Sequence, residues 1–405
     1  MKKKKKQKWM KFRHKVALEI VRPFFALAAA LKYHAKVDKF KEQGDRNWLI
    51  LSNHQTDFDQ FFVGLAFRKP VYYVAMEDLF SNGFISKAIK WLVAPIPFMK
   101  ASADIRAVLS CIRIAKEGGT IALFPEGNRT YSGRTCYIKP AVASLAKKMG
   151  LPIAIFKIEG GYGIKPRWAD NGRKGKMTAG VRRVIEPEEY SSLSDDELYD
   201  LICRELWVDE TLDGSNFISK DSAEGLERVL YICPECGLSE FETKDDTISC
   251  KHCGIKYRYL PNKQLEAVNG ENRFNYVADW YDFQEASVRS FDLTPYYEKP
   301  LYTDKADVSE VKVYDRKYPL KKNADVSLYG DRIVFGGEEG LLLGFDDIKA
   351  MACIAGHKLN VFYKDTIYQL KGGKSFNALK YCNIYYHAKF VKEGHADGEF
   401  QFLGL

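Results

Sequence analysis

No segment of this 405-residue chain holds the roughly 20 consecutive apolar residues that a membrane-spanning helix requires. The charge-free stretch 23–31 is too short for that. A cleavable signal peptide does not fit either, because Glu19 and Arg22 interrupt the apolar core ahead of Ala26, Leu27 and Ala28. Internal repeats are absent, and low complexity is confined to the lysine run 2–6. Cysteine is sparse outside two close pairs. Cys111, Cys136, Cys203, Cys353 and Cys382 are scattered, as expected of buried or free thiols in a reducing compartment.

At this length two or three domains are expected, and 46% hydrophobic with 14% aromatic residues supplies sizeable cores. The net charge of +9 is unevenly spread. Residues 1–50 carry 15 Lys and Arg against 4 Asp and Glu, so that segment is +11 and the remainder −2. A general nucleic-acid binder would spread its basic residues over a folded face, so nucleic acid is not an expected partner. The lysine run precedes Trp9, Met10, Phe12, Val16, Leu18, Ile20, Phe24, Phe25, Leu27 and Leu31, a helical mixture of apolar and basic residues. Residues 1–45 are therefore expected to lie in the interface of an anionic membrane, each Lys or Arg contributing roughly 1 kcal/mol. A peripheral protein on the cytoplasmic face of the cell membrane, with membrane phospholipids as partners, is the expectation.

The most informative feature is Asn53-His54-Gln55-Thr56-Asp57-Phe58-Asp59, at the end of the apolar run 48–52. Such a run reads as a buried strand that delivers its next residues to a sheet rim. There His54 is a candidate general base, its tautomer set by a carboxylate on the second ring nitrogen. Asp57 and Asp59 both qualify. A second short strand, 120–124, runs into Pro125-Glu126-Gly127-Asn128-Arg129-Thr130. Gly127 permits close backbone approach and Arg129 supplies a forked cation, so this turn reads as an anion site. Open α/β sheets collect working residues from several strand ends on one edge, which makes the two segments halves of one site.

These blocks resemble the glycerolipid acyltransferases of the PlsC type, which include lysophosphatidic acid acyltransferases. Asn53, His54 and Asp59 match the family's first block, and Phe124, Pro125, Glu126, Gly127 and Arg129 match its Phe-Pro-Glu-Gly-x-Arg block. The stretch 151–155, with Pro152, matches a further one. Where the family often has an Arg, the segment 95–100 supplies Lys100 instead. The resemblance covers roughly residues 15–190. It implies that His54, oriented by Asp59, takes the proton from an acceptor hydroxyl that attacks an acyl thioester. Glu126, Gly127, Arg129 and Lys100 would serve the acceptor phosphate, with Glu126 either touching the acceptor or bracing Arg129. The implied acceptor is a lysophospholipid, above all 1-acyl-glycerol-3-phosphate. The implied donor is an acyl carrier protein or coenzyme A thioester, and no catalytic cofactor is required.

Between the motifs the pattern alternates, with strands at 71–75 and 94–99 and helices at 84–92 and 102–116, the latter capped by Ser102. A helix at 139–149 and a strand at 151–158 come next, then an acidic helix capped by Ser194. The fold class is α/β, a mostly parallel sheet with flanking helices over 46–210. Cys233 and Cys236, then Cys250 and Cys253 after thirteen residues, have the spacing of a zinc ribbon at 228–262 with structural Zn²⁺ on four thiolates. His252 is a spare ligand candidate. The aromatic segment 275–281 reads as a linker packed between the ribbon and a C-terminal sheet. Short alternating runs at 311–314, 325–328, 332–335, 341–343, 350–353, 358–363 and 366–370 are read as the strands of that sheet, with turns that include Gly336 and Gly337. With a helix at 375–390 showing Phe376, Leu379, Tyr386 and Phe390 on one face, residues 300–392 resemble a pleckstrin-homology-like or GRAM-like β module. The contrasting functional class is a non-catalytic lipid-, protein- or nucleic-acid-binding protein on a degenerate acyltransferase fold.

Overall fold

The structure is a computed structural model, and it describes residues 8–99, 105–336, 340–354 and 357–394. The lysine run 2–6, Lys100, Ser102 and Gly337 lie outside the described residues.

The first sheet has seven strands: β1 (Ala35–Val37), β2 (Leu49–Ser52), β3 (Val71–Met76), β4 (Ile96–Phe98), β5 (Thr120–Leu123), β6 (Ile153–Glu159) and β7 (Met177–Ile185). Their spatial order is β1-β7-β6-β2-β5-β3-β4. Every neighbouring pair is parallel except β6 with β7. The expected mostly parallel sheet is therefore present. β2 sits mid-sheet with all four residues buried, which is why its sequence is a continuous apolar run with no alternation. Both flanks are covered by helices: α1 (Phe12–Lys32), α2 (Asp59–Ala66), α3 (Phe84–Val93), α4 (Ile105–Lys116), α5 (Ala141–Met149), the single turns α6 (Gly161–Ile164) and α7 (Pro187–Tyr190), and α8 (Asp195–Leu206). Ser194 caps α8 with a reciprocal bond to Glu197, the capping box its sequence announces. Among the described residues no helix is long and apolar enough to cross a membrane.

The cysteine pairs lie in a small antiparallel unit. β8 (Ile232–Cys233) and β9 (Gly237–Leu238) form one knuckle, and β10 (Phe241–Lys244), β11 (Thr247–Cys250), β12 (Lys256–Tyr259) and β13 (Leu265–Ala267) form a sheet in that order. The aromatic segment after it is no linker. It starts α9 (Val277–Arg289), whose Trp280 stacks on Phe274 and edges onto Phe241 inside the ribbon's core. The charged residues Asp279, Asp282 and Glu285 masked that helix, because its buried face is carried by few large side chains.

The last module is a curled antiparallel sheet: β14 (Tyr302–Val311), β15 (Lys317–Leu328), β16 (Arg332–Phe335), β17 (Leu341–Gly344), β18 (Ile348–Ile354), β19 (Lys358–Tyr363) and β20 (Thr366–Gly372), closed by α10 (Ala378–Glu393). The order β17-β16-β15-β14-β20-β19-β18 joins two meanders through the β14–β20 pair. The strand expected at 311–314 is a correction. Val311 ends β14, and the next residues turn a hairpin in which Tyr314 takes a φ of 70°. Polar residues on both long strands, such as Asp304, Lys305, Lys321 and Lys322, hid their length. A second correction concerns α10, which is buried all round from Ala378 to His387. It fills the open side of the curled sheet, so no single face carries its packing.

Candidate active site and cysteine cluster

At the C-terminal end of β2 the chain leaves the sheet at Asn53, whose side-chain amide both donates to and accepts from the backbone of Ile158 at 2.8 Å. This clamp fixes where the next residue emerges. His54 Nδ1 lies 2.7 Å from Asp59 Oδ2, and the imidazole side chain retains 20% exposure. Asp59 opens α2 and is fully buried. Besides His54, it accepts from the amides of Gln55 and Thr56 and from the Thr56 hydroxyl, the last at 2.6 Å. These donors satisfy both oxygens of a carboxyl that has no access to water. Asp57 points elsewhere. It accepts from the Tyr33 hydroxyl at 2.6 Å, and although burial opposes its charge, that bond and nearby Arg129 hold its carboxyl below the ordinary range.

The second strand end faces the first. Phe124 stacks on the His54 ring with centroids 4.4 Å apart, and the Thr130 amide donates to the His54 carbonyl at 3.0 Å. Gly127 is exposed, with φ of 72° and open space where a Cβ would stand, so its turn presents backbone to the site. The Arg129 guanidinium is depressed by burial and by Arg167, and drawn the other way by Asp57 and Asp59. Among the described residues no side-chain hydrogen bond or ion pair within 4 Å holds it. Its own carbonyl is tied down by the Arg167 guanidinium at 2.9 Å, which also reaches the carbonyl of Cys353 in the last module.

Glu126 is spent on the backbone. Its Oε1 accepts from the His54 amide at 2.7 Å and its Oε2 from the Cys136 amide at 2.6 Å. Burial pushes this carboxyl up to about 8 from its ordinary 4.5, with the two amides pulling it back. A folded value above the ordinary one gives a contribution to stability that is full below about pH 4.5 and lost as pH rises through about 8. Glu126→Gln turns an amide donor toward one of those N–H groups and is expected to cost about 1–3 kcal/mol at about pH 5. Urea unfolding of both proteins checks this, and the gap is expected to narrow toward about pH 9 as the wild type alone loses stability.

Tyr33, Arg167, Gln55 and Glu210 also frame this region, and none was singled out from the sequence as a site residue. Gln55 stood inside the recognised segment, but its partner Glu210 is 155 residues away. No local spacing announces such a contact.

The four cysteines converge. The sulfurs of Cys233, Cys236, Cys250 and Cys253 lie within 4.8 Å of one another, with Cys233 to Cys253 at 3.5 Å and Cys236 to Cys250 at 3.6 Å. A tetrahedron with Zn–S bonds of about 2.3 Å has edges of about 3.8 Å, so the donor set fits a tetrathiolate metal. His252 stands outside this group among the described residues.

The acyltransferase family matches residues 33–157 of this chain. A chloroplastic 1-acyl-sn-glycerol-3-phosphate acyltransferase of Brassica napus is 26% identical over 163 residues, 40% of this chain and 44% of that protein. A second chloroplastic 1-acyl-sn-glycerol-3-phosphate acyltransferase, from Arabidopsis thaliana, is 26% identical over 138 residues, 34% of this chain and 37% of its own. The chain thus spans less than half the length of these curated relatives. The crystal structure of the 1-acyl-sn-glycerophosphate acyltransferase PlsC from Thermotoga maritima aligns with a TM-score of 0.40 at 23% identity, over 49% of this chain and 82% of that one. His54, Asp59, Glu126, Gly127 and Arg129 all fall inside the segment 33–157 that matches the acyltransferase family.

Proposed function

We propose that this protein is an O-acyltransferase that moves a fatty acyl group from a thioester to the hydroxyl of a lysophospholipid. The preferred acceptor is 1-acyl-glycerol-3-phosphate, the product phosphatidic acid. The observation that carries this reading is the 2.7 Å pair of His54 and Asp59 facing the Phe124–Arg129 turn. With Asp59 accepting from Nδ1–H, the free Nε2 lone pair of His54 takes the acceptor's hydroxyl proton. The oxygen attacks the thioester carbonyl, the C–S bond breaks, and the imidazolium returns the proton to the departing thiolate. No acyl-enzyme and no catalytic cofactor enter this route.

Arg129 and the backbone at Gly127 would bind the acceptor phosphate, Arg129 as a fork, with Lys100 as a second cation. Glu126 serves the same site by bracing the His54 and Cys136 backbones, which supports a supporting role in acceptor binding over direct contact. Cys233, Cys236, Cys250 and Cys253 would hold one structural Zn²⁺, which when bound closes the ribbon's two knuckles. The donor is a thioester of acyl carrier protein or coenzyme A. Membrane attachment is peripheral, through α1 and α3, which pack together and expose Phe12 (80%), Ile20, Phe24, Phe84 (82%) and Trp91 beside Lys15, Lys87 and Lys90.

The test offers each labelled acyl thioester to the full-length protein on phosphatidylglycerol vesicles. The acceptors are 1-acyl-glycerol-3-phosphate, glycerol 3-phosphate and other lysophospholipids. Label is expected in phosphatidic acid, and vesicle sedimentation is expected to weaken at least about ten-fold in Phe12→Glu/Phe84→Glu. Zinc-loaded protein that binds the vesicles yet transfers no label from either thioester would favour a binding protein instead.

A further inference from the structure

A run of buried contacts leads from the ribbon into the His54 loop and takes no part in the proton transfer itself. Lys263 sits in the turn between β12 and β13, only 2% exposed, in a left-handed backbone conformation with φ of 73°. A non-glycine residue held there persists only where its surroundings require it. Its ammonium donates to Asp213 Oδ1 at 2.6 Å, stands 3.5 Å from Glu210 Oε2 and lies 4.8 Å over the Phe217 ring. Glu210, also 2% exposed, accepts through Oε1 from the Gly160 amide at 2.6 Å and from Gln55 Nε2 at 2.9 Å. Gln55 Oε1 in turn accepts from the Tyr162 amide at 3.1 Å. The backbone amide of Gln55 is one of the donors on Asp59, at 2.6 Å, and Asp59 holds His54.

Five residues from β13's turn to β2's end are thus linked through polar contacts, the step from Gln55 to Asp59 running through the Gln55 backbone amide. Close packing leaves the link little slack. A Cβ on Gly161 would come within 2.7 Å of Gln55 Oε1, and one on Gly160 within 2.4 Å of the Lys176 carbonyl. Burial raises the Glu210 carboxyl, and Lys263 acts against that rise together with the Gly160 amide and the Gln55 side chain.

We propose that Lys263, Glu210 and Gln55 are positioning residues for the His54–Asp59 pair, through which the cysteine ribbon sets the geometry of the acyl-transfer site. The proposal rests on the acyltransferase reading for its consequence and on the contacts alone for its structure. Lys263→Met leaves Glu210 buried without its cation, and the Gln55 side chain loses a fixed acceptor. Glu210→Gln/Lys263→Met removes both charges while its new amide oxygen still accepts from Gln55 and Gly160. Gln55→Met cuts the link nearer His54 without touching the ion pair.

Two readouts in the full-length protein separate positioning from plain stability. Lys263→Met is expected to lower kcat about 10- to 100-fold with KM for the thioester within about two-fold, and the double variant to recover most of that loss. Independently of any substrate, the Nδ1–H proton resonance of His54 is expected to move in Lys263→Met and in Gln55→Met and to return in the double variant. A purely structural role would lower Tm in these variants and leave the resonance and the kcat of folded protein unchanged, which overturns the proposal. Should Lys263→Met fail to fold, Gln55→Met interrogates the same link. If the wild type transfers no acyl group, the acyltransferase reading fails while the resonance still decides the positioning.

Discussion

His54→Ala is expected to lower kcat for acyl transfer about 10²- to 10⁴-fold, the usual worth of a positioned base. The loss should fall on kcat, with KM for the thioester little changed, because the imidazole acts on the acceptor's proton and adds little to ground-state binding. Its ring is 20% exposed on the side chain, so alanine leaves a shallow gap under Phe124 with no sizeable core cavity. Circular dichroism and Tm should remain near wild type. Asp59→Asn tests the orienting carboxylate separately. It removes the acceptor for Nδ1–H and leaves the Gln55 and Thr56 amides facing a side chain with one oxygen, so both rate and stability should fall. Acyl transfer surviving His54→Ala at wild-type rate would sink the assignment of the base.

Stripping the metal is expected to have the largest effect on the fold. Structural zinc in a four-cysteine site contributes about 10–16 kcal/mol of apparent binding free energy, comparable to the whole stability of a domain. Purified protein is expected to carry one zinc per chain and to lose it to a strong chelator with a large drop in Tm. Trp280 packs in the ribbon's core against Phe274, Phe241 and Tyr257, so its fluorescence should shift red on chelation. Cys236→Ser should reproduce the change. Metal-free protein with unchanged Tm and unchanged Trp280 emission would rule out a structural metal. Hydrogen exchange would show whether the loosening reaches β13's turn at Lys263 and then the Gln55 amide.

Much of the parallel sheet was legible because its strands are short, apolar and punctuated. The run 48–52 is buried on both faces, so it needs no partner to identify it as a central strand. The four cysteines were legible for a similar reason, since thiol spacing alone defines each knuckle. α9 and the long strands β14 and β15 were not, because their polar residues face solvent or buried partners whose identity is non-local. Asp304 illustrates this. In the sequence it stands in a stretch with no distinguishing pattern, yet it binds the buried Lys380 and Tyr381 of α10.

The same division runs through the site. The chain alone determined that a histidine, two nearby acids and a glycine-arginine turn stand at two strand ends, because strand-to-loop transitions are local events. Spacing left Asp57 and Asp59 both open and the family resemblance chose Asp59, which the structure sets against the imidazole; only the tertiary structure decided that Glu126 is held by backbone amides and that Lys263 reaches Gln55 through Glu210. A hydrogen bond requires a donor and an acceptor within about 3 Å. For side chains separated by tens or hundreds of residues, that distance is set by how the sheet, the ribbon and their helices pack together.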